Sequence, residues 1–83
     1  MTDISARELW EKILAILDEK LQYAFLEQAR GVADVRLTGK ELTLVVQNEE
    51  AYRFFSAEVN QQRLFIVSRP VYSIDRVVVE KSR

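Results

Sequence analysis

Residues 35–46 read VRLTGKELTLVV, and their pattern decides the fold class. Val35 and Leu37 alternate with Arg36, and Asp34 before them continues the polar side. Leu42, Leu44 and Val46 alternate against Thr43 and Val45. A period of two places alternate residues on opposite faces of a strand. Thr38-Gly39-Lys40-Glu41 between the two runs is a turn, with Gly39 free to take a positive φ. The stretch is a β-hairpin, and its register is set by burial. A slip of one residue would expose Leu42, Leu44 and Val46 together.

The stretch before the hairpin has helical spacing. Leu9, Trp10, Ile13, Leu14, Ile16, Leu17 and Leu21 form a broad apolar stripe at intervals of three and four. Thr2, Asp3 and Ser5 offer N-caps, and Ser5 with Glu8 matches a capping box with Ile4 as its staple. The spacing predicts a helix over 6–20. Residues 21–29 remain helix-friendly, but one helix over 6–30 would span roughly 37 Å at 1.5 Å per residue. A break near residues 20–22 is therefore expected, with Gly31 as the C′ stop of a short second helix.

After the hairpin, Asn48 is an N-cap candidate and Glu49-Glu50 suit a first helical turn. Ala51, Tyr52, Phe55 and Val59, continued by Gln62, Arg63 and Ile66, form the expected buried face, with Phe54 partly exposed. The polar Asn60-Gln61-Gln62 suggests a break before a short element over 63–68, helix or strand, closed by Pro70. A last strand is placed mainly over 74–79, pairing with the hairpin. The result is a small two-layer α+β domain. Its order is α-α-β-β-α(α)-β, with a three-stranded sheet covered by helices.

Composition narrows the function. The chain has 83 residues, 48% hydrophobic and 30% charged, the balance of a globular protein. A chain of this size buries only about 60–65% of its unfolded surface, so its core is small. It contains no His and no Cys. This removes imidazole and thiolate chemistry, the commonest general base and a disulfide framework. Adjacent acids such as Asp18-Glu19 and Glu49-Glu50 do not face each other on a helix, so they read as surface and not as a catalytic pair. Gly31 and Gly39 stand apart, so no phosphate-cradling loop is present. No enzyme activity, cofactor, metal or small-molecule substrate is expected. No run approaches a membrane span of ~20 apolar residues, and the acidic, polar start is unlike a signal peptide. The expected setting is the cytoplasm, as a domain by itself or a part of a larger protein.

Charge is uneven along the chain. Residues 1–50 hold ten acids against six bases, a net of −4, and residues 51–83 hold six bases against three acids, a net of +3. Arg53, Arg63, Arg69, Arg76 and Lys81 could meet the phosphates of single-stranded nucleic acid, with Tyr23, Phe25, Phe54, Phe55 and Phe65 as potential stacking partners. Most of these aromatics, and Trp10, are expected in the core of so short a chain.

Two family resemblances sharpen this reading. Leu9-Trp10, Phe25, the LTLVVQN of residues 42–48 and the pair Phe54-Phe55 resemble the N-terminal domain of the bacterial replication initiator DnaA. Leu26-Glu27-Gln28 stands where that family has a Trp, and Glu49-Glu50-Ala51 where it has a helix-start Phe. FLEQARGVADVRLTGKELTLVV, with Gln61-Gln62-Arg63-Leu64 and Arg69-Pro70-Val71, is similar to the C-terminal region of DNA polymerase III gamma/tau subunits. Both resemblances imply a KH-like interaction module of the replication machinery, one that binds a helicase, a regulator or another copy of itself. Gln22, Tyr23, Glu27 and Gln28 on the second helix are the implied partner contacts. Weak binding of single-stranded DNA by the basic C-terminal part is the alternative.

Overall fold

A computed structural model describes residues 4–82. The potential caps Thr2 and Asp3, and the terminal Arg83, lie outside the described residues. Helix α1 (Ala6–Glu19) and helix α2 (Tyr23–Ala29) lead into strands β1 (Val32–Thr38) and β2 (Glu41–Val46). Helix α3 (Glu49–Ser56), helix α4 (Glu58–Ser68) and strand β3 (Arg76–Lys81) follow. No helix among the described residues is long and apolar enough to cross a membrane.

The sheet order is β1-β2-β3. β1 and β2 pair antiparallel with Leu37 opposite Leu42 and Val35 opposite Leu44, and Gly39 takes φ +60 in the turn. β3 runs parallel to β2, with Val77 beside Leu42 and Val79 beside Leu44. A parallel neighbour needs a crossover of a dozen or more residues, and α3 and α4 supply it. Val35, Leu42, Leu44, Val46 and Val77 point from the sheet into the core. There they meet Leu9, Trp10, Ile13 and Leu17 of α1, Phe25 of α2, Ala51 and Phe55 of α3, and Leu64 and Val67 of α4. The opposite sheet face is mixed, with Val45 and Val78 set among Arg36, Thr43, Arg76 and Glu80. On it Arg36 of β1 reaches over β2 to Glu80 of β3 at 2.6 Å.

The aromatic residues form one packed group. Phe55 is edge-on to Trp10 at 6.1 Å, to Phe25 at 6.3 Å and to Phe54 at 5.2 Å, and Phe25 meets Phe54 at 4.9 Å. Edge-to-face geometry suits the ring quadrupoles and adds to the burial of their surface. Trp10, Phe25 and Phe55 are buried, and the half-buried Phe54 leans on Phe25.

Several sequence expectations change. The second break falls at Ala57, not at residues 60–62, and α4 is a single helix through Ser68. The polar run that suggested a break has another task. Asn60 Nδ2 donates to the Phe54 carbonyl at 2.8 Å, and Gln61 Nε2 donates to the Phe55 carbonyl at 3.0 Å. The last carbonyls of a helix have no intrahelical partner, and these two amides satisfy them at the end of α3. Moving the break rotates the phase of α4. Leu64 and Val67 turn inward, while Val59 and Ile66, expected in the core, are 71% and 56% exposed. Gln62 and Arg63, expected on the same buried face, are exposed as well.

The last strand starts two residues later than expected, at Arg76. The preceding segment is tied to the hairpin turn and not to the ladder. Tyr72 Oη donates to the Gly39 carbonyl at 3.0 Å, and the Asp75 N–H donates to the Lys40 carbonyl at 2.9 Å.

Gly31 does not act as a left-handed helix stop, since Gly39 is the one glycine with positive φ. It allows a close approach. A Cβ at residue 31 would lie 2.9 Å from Asn48 Nδ2 and 3.0 Å from the Ala51 Cβ. Asn48 caps α3, its Oδ1 accepting the Ala51 N–H at 2.7 Å. The end of α2 therefore sits directly against the start of α3.

Candidate functional site

The expected break between the first two helices is made without glycine or proline. The Leu21 N–H donates to the Asp18 carbonyl at 3.0 Å, and the Gln22 N–H donates to the Leu17 carbonyl at 2.9 Å. This pair of bonds is the Schellman arrangement, whose C′ residue is left-handed and usually glycine. Here Leu21 holds that position at φ +59, the one non-glycine residue with positive φ among those described. A left-handed residue with a Cβ costs roughly 1–2 kcal/mol. The side chain recovers little of this by packing, because it is 64% exposed. The sequence places Leu21 on the buried stripe of the first helix. The left-handed turn carries it out of that stripe and into solvent.

Tyr23 opens α2 beside it and is also 64% exposed. Phe25 two residues on is buried, so α2 clamps its inner face into the aromatic group while Tyr23 and Glu27, one turn apart, stay outside. Gln22 and Gln28 are half-buried. Gln28 Nε2 donates to Glu50 Oε2 of α3 at 3.1 Å. A groove of about 250 Å³ lies along this junction, lined by Glu27, Gln28, Arg30, Gly31, Gln47, Asn48 and Glu50. Its wall is made of carboxylates, amides and one guanidinium. Such groups hydrogen-bond a peptide backbone or polar side chains.

Gln22, Tyr23, Glu27 and Gln28 thus share one corner of the fold, but they divide into two parts. Tyr23 and Leu21 are exposed apolar side chains two residues apart, and Glu27 and Gln28 line the groove. Leu21 is missing from the residues inferred from sequence. A signal was present: a helix break with no glycine to take the left-handed position must place some other residue there.

The five basic residues are not gathered on one face. Lys81 and Arg53 converge on Glu49, with Nζ at 2.7 Å and Nε at 3.4 Å. The hydrogen bond from Lys81, its charge and the charge of Arg53 hold the Glu49 carboxyl below the usual carboxylate range. Arg76 starts β3 and Lys81 ends it, and five strand steps separate them by roughly 16 Å. Arg63 is exposed on α4 and Arg69 is its C-cap. Of the proposed stacking residues, Phe25, Phe54 and Phe55 belong to the packed aromatic group. Phe65 is half-buried against the core, and Tyr23 alone of the five faces solvent.

No family model, curated protein or solved structure matches this chain.

Proposed function

We propose that this chain is a non-catalytic protein-interaction domain of the bacterial replication machinery, of initiator or clamp-loader type. It docks a helicase, a regulator or another copy through the corner formed by Leu21, Gln22, Tyr23, Glu27 and Gln28. The replication setting rests on the resemblance carried by Leu9-Trp10, Phe25, residues 42–48 and the hairpin. The α-α-β-β-α-α-β order is compatible with it.

The observation that carries the docking surface is Leu21. A leucine in a left-handed helix stop is unfavourable for folding, and glycine would serve better there. A side chain kept at such a position while exposed points to a use outside the fold. Tyr23 beside it supplies the kind of rigid amphipathic contact that dominates binding energy at protein interfaces.

Leu21→Gly separates the two roles. It is expected to stabilise the domain by about 0.5–1 kcal/mol, raising Tm by roughly 4 °C, because strain is removed without loss of core contacts. The same substitution is expected to weaken partner binding. Tyr23→Ala should cost at least about tenfold in affinity, in the range of interface hot spots, with the fold retained. Glu27→Ala, on the rim, should have the smaller effect. The measurements are thermal melts and calorimetric titration against the replicative helicase of the same cell. Titrations unchanged by both Leu21→Gly and Tyr23→Ala would remove this corner from the function.

A further inference from the structure

Among the described residues β3 is an edge strand, with β2 on one side and no strand on the other. The Ser82 N–H donates to the Val46 carbonyl at 2.7 Å. By the period of two, the even-numbered residues of the strand turn their backbone groups toward β2, and Val77, Val79 and Lys81 turn theirs outward. Such a row of N–H and C=O groups is a template for another strand. The opposite edge is blunted. β1 has a register shift between Val32 and Asp34, and Arg7 of α1 lies 4.0 Å from the Asp34 carboxylate. Bulges and charges are common ways of closing an edge. β3 is regular against β2 over its whole length, and its centre is three valines.

The residues around that centre have opposite charge order on its two sides: Asp75, Arg76, Val77, Val78, Val79, Glu80, Lys81. When two copies of one edge pair antiparallel, outward-facing residues must meet outward-facing residues, so odd numbers meet odd numbers. With Val78 on the two-fold axis, Val77 meets Val79 of the second copy and Arg76 meets its Glu80. Within the strand Arg76 and Glu80 are then cross-paired, and Glu80 of each copy lies between Arg36 of its own chain and Arg76 of the other. Asp75 precedes the strand, its N–H turned to the Lys40 carbonyl, and Lys81 is held by Glu49 of its own chain, so the pairing rests on Arg76 and Glu80. Centring on Val77 sets Asp75 against Val79, and centring on Val79 sets Val78 against Glu80, so both neighbouring registers lose the pairing.

We propose that two copies of this chain join through their β3 edges, antiparallel about Val78, into a continuous six-stranded sheet. The interface is isologous, as a two-fold dimer requires, and the mode is strand addition. Val78, Arg76 and Glu80 share the sheet face away from the helices, where Arg76 and Glu80 are exposed and Val78 is half-buried. The β3 edge lies on other elements than the Leu21 and Tyr23 corner. One strand pair buries little area, so the dimer is weak, with a Kd on the order of 10⁻⁴ M.

Sedimentation equilibrium from ~20 µM to ~1 mM, bracketing that affinity, tests the proposal. The wild-type chain is expected to shift from monomer to dimer, and Tyr23→Ala to behave as wild type. Val78→Lys alone and Val78→Glu alone should each stay monomeric, because like charges would face each other on the axis where Cα atoms approach to about 4.5 Å. An equimolar mixture of the two should dimerise again, since Lys then meets Glu. Circular dichroism reports whether these variants fold. If either does not, Arg76→Glu takes its place, setting two like-charge pairs at an exposed position and weakening the dimer at least tenfold. A wild-type chain that remains monomeric at the highest concentration overturns the proposal. So does a dimer indifferent to the charged variants, or a mixture that fails to reassociate.

Discussion

Phe55→Ala is expected to cost about 3–5 kcal/mol and to lower the urea midpoint sharply. Phe55 is fully buried and touches Trp10, Phe25 and Phe54 edge-on. It is the one ring that contacts all three others, and so it joins α1 and α2 to α3. Removing it leaves a cavity between elements that are far apart in sequence. A domain of this length has a total stability of roughly 4–12 kcal/mol at 0.05–0.15 kcal/mol per residue. The loss is a large share of that. Phe54→Ala should cost less, because Phe54 is only half-buried. Urea denaturation followed by circular dichroism measures both. A Phe55→Ala midpoint corresponding to less than about 1 kcal/mol of loss would mean that the aromatic group does not hold the layers together.

Gly31→Ala is expected to destabilise the fold by about 1–3 kcal/mol, an unusual cost for adding one methyl group. The new Cβ would press on Asn48 Nδ2 at 2.9 Å and on the Ala51 Cβ at 3.0 Å. Asn48 could turn its amide away only by giving up the cap on the Ala51 N–H, a bond worth about 1 kcal/mol. Ala51 is fully buried and has nowhere to move. The Gln47 N–H also donates to the Gly31 carbonyl at 2.8 Å, which holds the backbone in place. Combining Gly31→Ala with Asn48→Ala gives the discriminating measurement. If the clash acts through the cap, the double variant loses less than the two single losses added together. If Gly31 acted as a left-handed stop, the two losses would add. Gly31→Ala at wild-type stability would refute the close-contact account.

Much of this architecture could be read from local pattern. The alternation of Leu42, Leu44 and Val46 defines a strand with one buried face, and the three- and four-residue spacing of Leu9, Ile13 and Leu17 defines a helix. Ser5 and Asn48 both cap as their side chains allow, Ser5 Oγ accepting the Glu8 N–H at 3.1 Å. Trp10 is in the core because its position on the stripe leaves it no other place. These features depend on residues a few positions apart, so sequence order and spatial order coincide.

The errors have a common origin. Asn60 and Gln61 look like a break when judged by polarity, but their amides serve carbonyls six residues back, across the α3 to α4 turn. Gly31 stands at the C′ position expected of it, after the C-cap Arg30, but its φ is not left-handed, and what requires a glycine there is the approach of Asn48 and Ala51. Leu21 belongs to the apolar stripe by spacing, and the turn geometry removes it. The candidate site followed the same division. Tyr23 and Glu27 could be named from the second helix, whereas Leu21 and the groove beside Glu50 depend on how two helices meet.

The sequence by itself determined the type of every segment except residues 63–68, whose short apolar run suits helix and strand alike, and which face of the hairpin is buried. Periodicity and capping are properties of neighbouring residues and need no partner to express them. Tertiary structure decided the parallel placement of β3 beside β2, the phase of α4 and the exposure of Leu21. Each of these is set by contacts between residues distant in the chain, where packing and unsatisfied backbone groups outweigh local preference.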